Sequence, residues 1–171
     1  MIAVILILIS PSFGASKVEI DAKVRATMNR FYNEVGSSRE LVKKSHGVLV
    51  IPSVIKAGIG IGGEYGEGAL LIKGKTVDYY STTAASIGFQ LGAQSKSIIL
   101  LFMTGRALSD FRNSSGWKAG VDGSVALIKI GAGGSVDTTN IKDSIIGFVF
   151  GQKGLMYNVT LEGSKMTKIH K

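Results

Sequence analysis

The chain contains no cysteine. That excludes disulfides, thiolate metal sites, a cysteine nucleophile and a lipid-modified N-terminal cysteine together. Proline is nearly as scarce: Pro11 and Pro52 are the only two, too few for a linker or a disordered tail. Charged residues make up a modest 19%, which argues against intrinsic disorder. The only histidines are His46, at an element boundary, and His170, next to the last residue. There is no GxSxG elbow and no HExxH pair, so no catalytic constellation is available. Aromatics are sparse at 8%; Phe31, Tyr32, Tyr79, Tyr80 and Trp117 show none of the grouping of an RNP motif or zinc finger. These absences point to a protein that is not an enzyme, needs no cofactor or metal and does not bind nucleic acid.

What is present is 171 residues at 45% hydrophobic with a net charge of +8. That length supports one well-buried domain, and no composition shift divides it. The surplus Lys and Arg must face solvent, where they attract polyanions such as anionic lipid headgroups. Met1 to Ser16 begins with an apolar run, Ile2 to Ile9, followed by Pro11 and the small-x-small triplet Ser12-Phe13-Gly14. The run is too short to span a bilayer core of about 30 Å as a helix. It reads as a signal peptide over 1–15, cut near Gly14 or Ala15, ahead of a domain over 16–171. No Lys or Arg precedes the run, and the competing reading is a buried N-terminal strand of a cytosolic protein. Export implies a periplasmic or envelope-associated bacterial protein.

Most of the glycine lies between Gly58 and Gly134, alternating with aliphatic residues as in Gly58-Ile59-Gly60-Ile61-Gly62 and Ser86 to Ala93. A period of two makes strands with one bare face, which a second layer of protein or a flat ligand can approach closely. Before them, Ile20, Val24, Met28, Phe31 and Val35 recur at helical spacing. Lys17, Lys23, Arg25 and Arg30 surround this stripe, and Asp21 stands four residues before Arg25. Gly36-Ser37-Ser38 ends that helix, and a second, shorter one follows with Ser37 or Ser38 as its cap. The stripe either packs on the sheet or meets a membrane, and a helix that undocks could do both.

Strands are expected at Val48–Ile51, Gly58–Gly63, Ala69–Ile72, Thr76–Tyr80, Ser86–Ala93, Ser97–Met103, Val121–Ile130, Ile145–Phe150, Leu155–Leu161 and Met166–Ile169. Gly-Glu, Lys-Gly-Lys and Gln-Ser-Lys turns would connect them, and a short helix is expected over Thr104 to Arg112. The fold class is α+β: one domain, a mostly antiparallel glycine-rich sheet closed as a sandwich or open barrel, an N-terminal amphipathic helix pair and the one short helix. Gly58, Gly60 and Gly63 match GxGxxG, but a dinucleotide site needs a helix to open directly after them, and Glu64 to Gly68 leads into another strand. Glu64 and Glu67 read as solvated turn carboxylates. Trp117 reads as a core plug or an interfacial anchor.

Longer blocks carry a resemblance. His46 to Gly58, Gly62 to Gly68, Tyr80-Ser81-Thr82, Ser86 to Ser95, Phe111 to Ser114, Gly116 to Asp122 and Gly154-Leu155-Met156, in this order, resemble the SYLF domain in its bacterial form, from about Ile20 to the C-terminus. The resemblance implies a lipid-binding module whose eukaryotic relatives bind phosphoinositides and, in fungi, bind and bundle actin filaments. It places lipid contact on the N-terminal amphipathic helix and adjacent basic surface, here Ser16 to Val35 with Lys43-Lys44. No SH3 or FYVE companion accompanies the domain, and in a bacterial envelope anionic phospholipid is the ligand to expect. The candidate headgroup contacts are Lys17, Lys23, Arg25, Arg30, Lys43 and Lys44, with Lys56, Arg106, Arg112 and Lys118 as a second tier, Lys56 and Lys118 beside glycine-rich backbone. The rival reading is a scaffold, in which the glycine-faced sheet packs on a protein partner or a second copy and lipid binding is incidental.

Overall fold

The computed structural model describes residues 15–88, 94–128, 142–152, 154–156 and 159–171. The expected leader, up to position 14, and positions 89–93 of the Ser86–Ala93 strand lie outside the described residues.

Helix α1 spans Lys17–Glu34. Its first turn is capped by Ser16, whose hydroxyl oxygen accepts the Glu19 amide at 3.2 Å, and Glu19 adds a negative charge at the positive end of the helix. α2 covers Ser38–Lys44. Ser37 occupies its N-cap position, but at φ 68 its hydroxyl makes no capping bond. α3, Gly105–Asn113, is capped by Thr104, which accepts the Ala107 amide at 3.1 Å.

The strands are β1 (Gly47–Ile72), β2 (Lys75–Gly88), β3 (Gln94–Phe102), β4 (Trp117–Lys118), β5 (Ala126–Leu127), β6 (Ile145–Gly151), β7 (Gly154–Leu155) and β8 (Lys165–Ile169). Among the described residues they form one eight-stranded sheet in the order β4-β8-β2-β1-β3-β6-β5, with β7 on β6. The sheet curls as a half-barrel. Every pairing is antiparallel except β5 with β6, so the α+β open-barrel expectation is met.

β1 departs from the expected pattern of three short strands. Its first arm, through Lys56, pairs with β3, and its second, from Gly60, pairs with β2. A β-carbon at Gly68 would overlap the Val50 carbonyl oxygen, and one at Gly66 would lie 2.6 Å from that of Ser53. Fully extended, the eighteen residue steps from Val50 to Gly68 would span about 60 Å. The contact therefore means that β1 doubles back on itself. At these two positions the layer that approaches the bare glycine face is the chain's own first arm. Glu64 to Gly68 is strand rather than turn, as is Gln94-Ser95-Lys96, which pairs with Lys56, Ile55 and Val54. The Lys-Gly-Lys turn is real: Lys73 and Gly74 have φ of 52 and 76, the left-handed pair that a tight hairpin requires. Among the described residues of Val121–Ile130 only Ala126–Leu127 is strand, with Val121 and Asp122 in a turn, and of Leu155–Leu161 only Leu155 is; positions 129–130 and 157–158 lie outside the described residues. Loop bonds hold the Val121 turn instead, the Asp122 amide donating to the Lys118 carbonyl at 2.8 Å.

Alternation along the strands gives the sheet two apolar faces. Val48, Val50, Ile99, Leu101, Phe148 and Phe150 point to one; Leu49, Ile51, Ile98, Leu100, Phe102 and Val149 point to the other. α1 covers the first face with its whole stripe, Ile20, Val24, Met28, Phe31 and Val35, all buried. Phe31 meets Phe148 at a centroid distance of 4.8 Å. The second face is covered by α3 through Phe111, against Tyr80, Phe102 and Trp117 at 4.7, 4.8 and 5.5 Å. Trp117 is a core plug, 2% exposed.

Candidate functional site

Burial of the α1 stripe decides how this helix can meet a ligand. Each of its side chains contributes about 1.5–3 kcal/mol by leaving water, so undocking all five would remove about as much free energy as holds a domain together. It would also bare Phe148, Phe150 and Val50. The folded helix presents its polar side outward, and insertion of the stripe into a bilayer is incompatible with this packing.

On that outer side Lys17, Lys23 and Arg25 are exposed, joined by Lys43 on α2 and Lys73 and Lys75 at the β1–β2 turn. None of them has an ion-pair partner among the described residues. Of the acids near them, Asp21, Glu34 and Glu40 are engaged elsewhere, and Glu19, one turn before Lys23, makes no ion pair among the described residues. Asp21 does not pair with Arg25 but accepts the Tyr79 hydroxyl at 2.8 Å and the Thr76 hydroxyl at 3.3 Å. Burial, together with the bond to the Asp21 carboxylate and its charge, pushes Tyr79 up to about 12. Glu34 takes Arg30 at 2.8 Å and Glu40 takes Lys44 at 3.2 Å.

Between α1, α2, the start of β1 and the β1–β2 turn lies a groove of about 800 Å³. Val24, Met28, Val42, Val48 and Leu71 form its apolar floor, and Arg25, Lys43, Lys73 and His46 stand around it, with Asp21 at one side. Sequence reasoning singled out Arg25 and Lys43 but missed Lys73 and His46. The Lys73-Gly74-Lys75 turn was visible in the sequence; that it reaches α1 follows only from the doubling back of β1.

The remaining candidates are not gathered there. Arg30 fastens α1 to β6, donating to the Gly151 carbonyl and lying 5.3 Å from the Phe150 ring centroid. Lys56 is half-buried in the first arm of β1. Arg106 and Arg112 belong to α3, across the sheet, with Asp110 3.9 Å from Arg106 and Asp78 3.1 Å from Arg112. Lys118 lines a separate, wider hollow together with Glu64 and Asp122. Glu64 itself pairs with Lys96 at 3.1 Å.

Glu67 is no solvated turn residue either. Its side chain is 8% exposed and accepts the Ala15 amide at 3.1 Å, the Tyr65 hydroxyl at 2.8 Å and the Lys171 ammonium at 3.2 Å. Burial alone would raise its pKa, but these bonds and the Lys171 charge outweigh it and hold the carboxyl below its ordinary value. One carboxylate thereby ties the start of α1 and the last residue to β1. Among the described residues no helix is long and apolar enough to cross a membrane, and no His, Cys, Asp and Glu cluster could hold a metal.

The family model described as "Las17-binding protein actin regulator", Ysc84, matches residues 83–171. No curated protein matches the chain. The matched stretch starts near the end of β2 and carries α3 and the strands that follow, whereas the groove residues all precede it. It extends over more than half of the chain and agrees with the resemblance carried by Ser86 to Ser95, Phe111 to Ser114, Gly116 to Asp122 and Gly154 to Met156: the chain belongs to the Ysc84 (SYLF) family.

Proposed function

We propose that the chain is a non-enzymatic module that binds anionic phospholipid membranes through the outer side of α1 and α2 and the β1–β2 turn. The observation that carries this reading is a cluster of charge: six cations without ion-pair partners among the described residues stand together on α1, α2 and the β1–β2 turn, with Arg25, Lys43 and Lys73 around one groove, whereas Lys118, Lys142 and Lys165, which also lack ion pairs, lie apart from it. Contact is Coulombic and peripheral. Each Lys or Arg near an anionic surface contributes about 1 kcal/mol, so three of them amount to about 100-fold in affinity. The stripe beneath stays docked.

Flotation with phosphatidylglycerol and phosphatidylcholine vesicles tests the reading. Retention on the anionic vesicles alone, fading as salt rises, is the expected result. Equal retention on both, or none on either at low salt, rejects it. An exported, envelope-associated protein is part of the same proposal. A cut between Gly14 and Ala15 would leave the new Ala15 ammonium against Glu67, an ion pair in place of the present amide bond. N-terminal sequencing of the protein from its native cells checks this: a start at Ala15 or Ser16 is expected, and an uncut leader counts against it.

A second reading rests on the family description. An actin regulator acts on protein, and the matched residues lie mainly away from the groove. In that reading the α3 side is a scaffold for a filament or another partner, and co-sedimentation with filaments in the absence of lipid would favour it.

A further inference from the structure

The groove differs from the rest of the cationic surface in having a floor. A flat array of lysines satisfies any polyanion, but apolar side chains beneath convergent charges suit a ligand with a charged end and an apolar body. The volume, about 800 Å³, lies within the range of about 300–1,000 Å³ usual for small-molecule clefts. Three separate elements supply the charges: Arg25 from α1, Lys43 from α2 and Lys73 from the hairpin turn. Donors supplied by three separate elements around one groove suit the several oxygens of a phosphate better than the two of a carboxylate. The acid at the rim, Asp21, is already bonded to Tyr79 and Thr76.

Resting on the reading of this side as the lipid-binding surface, we infer that the groove seats one single-chain anionic phospholipid. Its phosphate lies against Arg25, Lys43 and Lys73, and its acyl chain along Met28, Val42 and Leu71. The protein then holds individual lipid molecules in addition to adhering to a charged sheet of them.

The test is calorimetric titration with lysophosphatidylglycerol below its micelle concentration. Two controls separate its parts: lysophosphatidylcholine keeps the chain but is net neutral, and glycerol 3-phosphate keeps the head without the chain. Saturable one-to-one binding is expected, at least about tenfold tighter than either control, the factor that about 1.4 kcal/mol of selective contact gives. Val42→Trp and Ile72→Trp, which fill the groove from α2 and from the end of β1, and Lys73→Glu should each weaken it by a similar factor. Circular dichroism identifies any variant that fails to fold, and the remaining variants decide.

Equal binding of glycerol 3-phosphate overturns the inference, as does tighter binding of palmitate or indifference to all folded groove variants. If anionic vesicles retain the protein but monomeric lysophosphatidylglycerol does not bind, the groove assignment falls and the membrane reading stands. If the monomer binds one-to-one and vesicles are never retained, the reverse holds.

Discussion

Across the sheet from α1 and α2 lies α3, and the two sides treat their cations differently. On the α3 side Arg112 and Lys168 share Asp78, at 3.1 and 3.5 Å, and Arg106 has Asp110 one turn ahead. On the α1 side three acids are committed to structural duties, Asp21 to Tyr79, Glu34 to Arg30 and Glu67 to Ala15 and Lys171, which leaves Glu19 as the exposed acid of α1 without an ion pair among the described residues. Lys17, Lys23, Arg25, Lys43, Lys73 and Lys75 are left without ion-pair partners among the described residues, against Lys142 beside α3. A net charge of +8 says only that a surplus exists. Where it appears depends on which carboxylates the fold has already spent on its own bonds.

The comparison presumes that both helices are integral covers of one core. Phe31→Ala and Phe111→Ala should each cost about 3–5 kcal/mol, read as matching drops in urea midpoint. A small loss for only one would mean that its helix is an accessory. Glu67→Gln should cost about 1–3 kcal/mol by weakening bonds to a buried charge, and it also has a pH signature. The folded pKa of Glu67 lies below its ordinary 4.5. Its contribution is therefore present above that value and lost as pH falls through the folded pKa. Wild type should lose stability as pH falls from about 5 to 3, and the Gln variant should follow a flatter curve in thermal melts.

Asp78→Asn sharpens the contrast by releasing Arg112 and Lys168. It should cost about 1 kcal/mol of stability and raise retention on anionic vesicles, bringing the α3 side closer to the α1 side. Smallest of all, Tyr80→Phe removes a buried hydroxyl that has no hydrogen-bond partner among the described residues. Burial first and the Asp78 charge second push that group up to about 12, against the opposing Arg112 charge. With no bond to lose, the change should leave stability unaltered or raise it by up to about 1 kcal/mol.

Much of this architecture was legible in the chain. The stripe from Ile20 to Val35 fixed α1 and its buried side, because helical spacing leaves five large side chains no other common direction. Ala107, Leu108 and Phe111 did the same for α3. β1 was not legible: Gly-Glu at positions 63–64 and 66–67 has the composition of a turn, whereas Gly66 and Gly68 are there because another part of the chain crosses them. The groove was half legible. Arg25 and Lys43 flank visible helical patterns, but Lys73 joins them through a long-range chain reversal that local spacing does not encode. The second tier shows the converse: Arg106 and Arg112 look like free cations in the sequence, and their acids, Asp110 and Asp78, come to them through the helix turn and the fold.

The central claim is that one side of the sheet binds anionic lipid and the other does not. Matched triple reversals test it in a single phosphatidylglycerol flotation series: Arg25→Glu, Lys43→Glu and Lys73→Glu on the α1 side, against Arg106→Glu, Lys142→Glu and Lys168→Glu on the α3 side. The net charge change is the same in both. The first set should weaken retention by about 100-fold or more and the second should leave it near wild type; equal losses in the two would show that overall charge, and not this surface, governs binding.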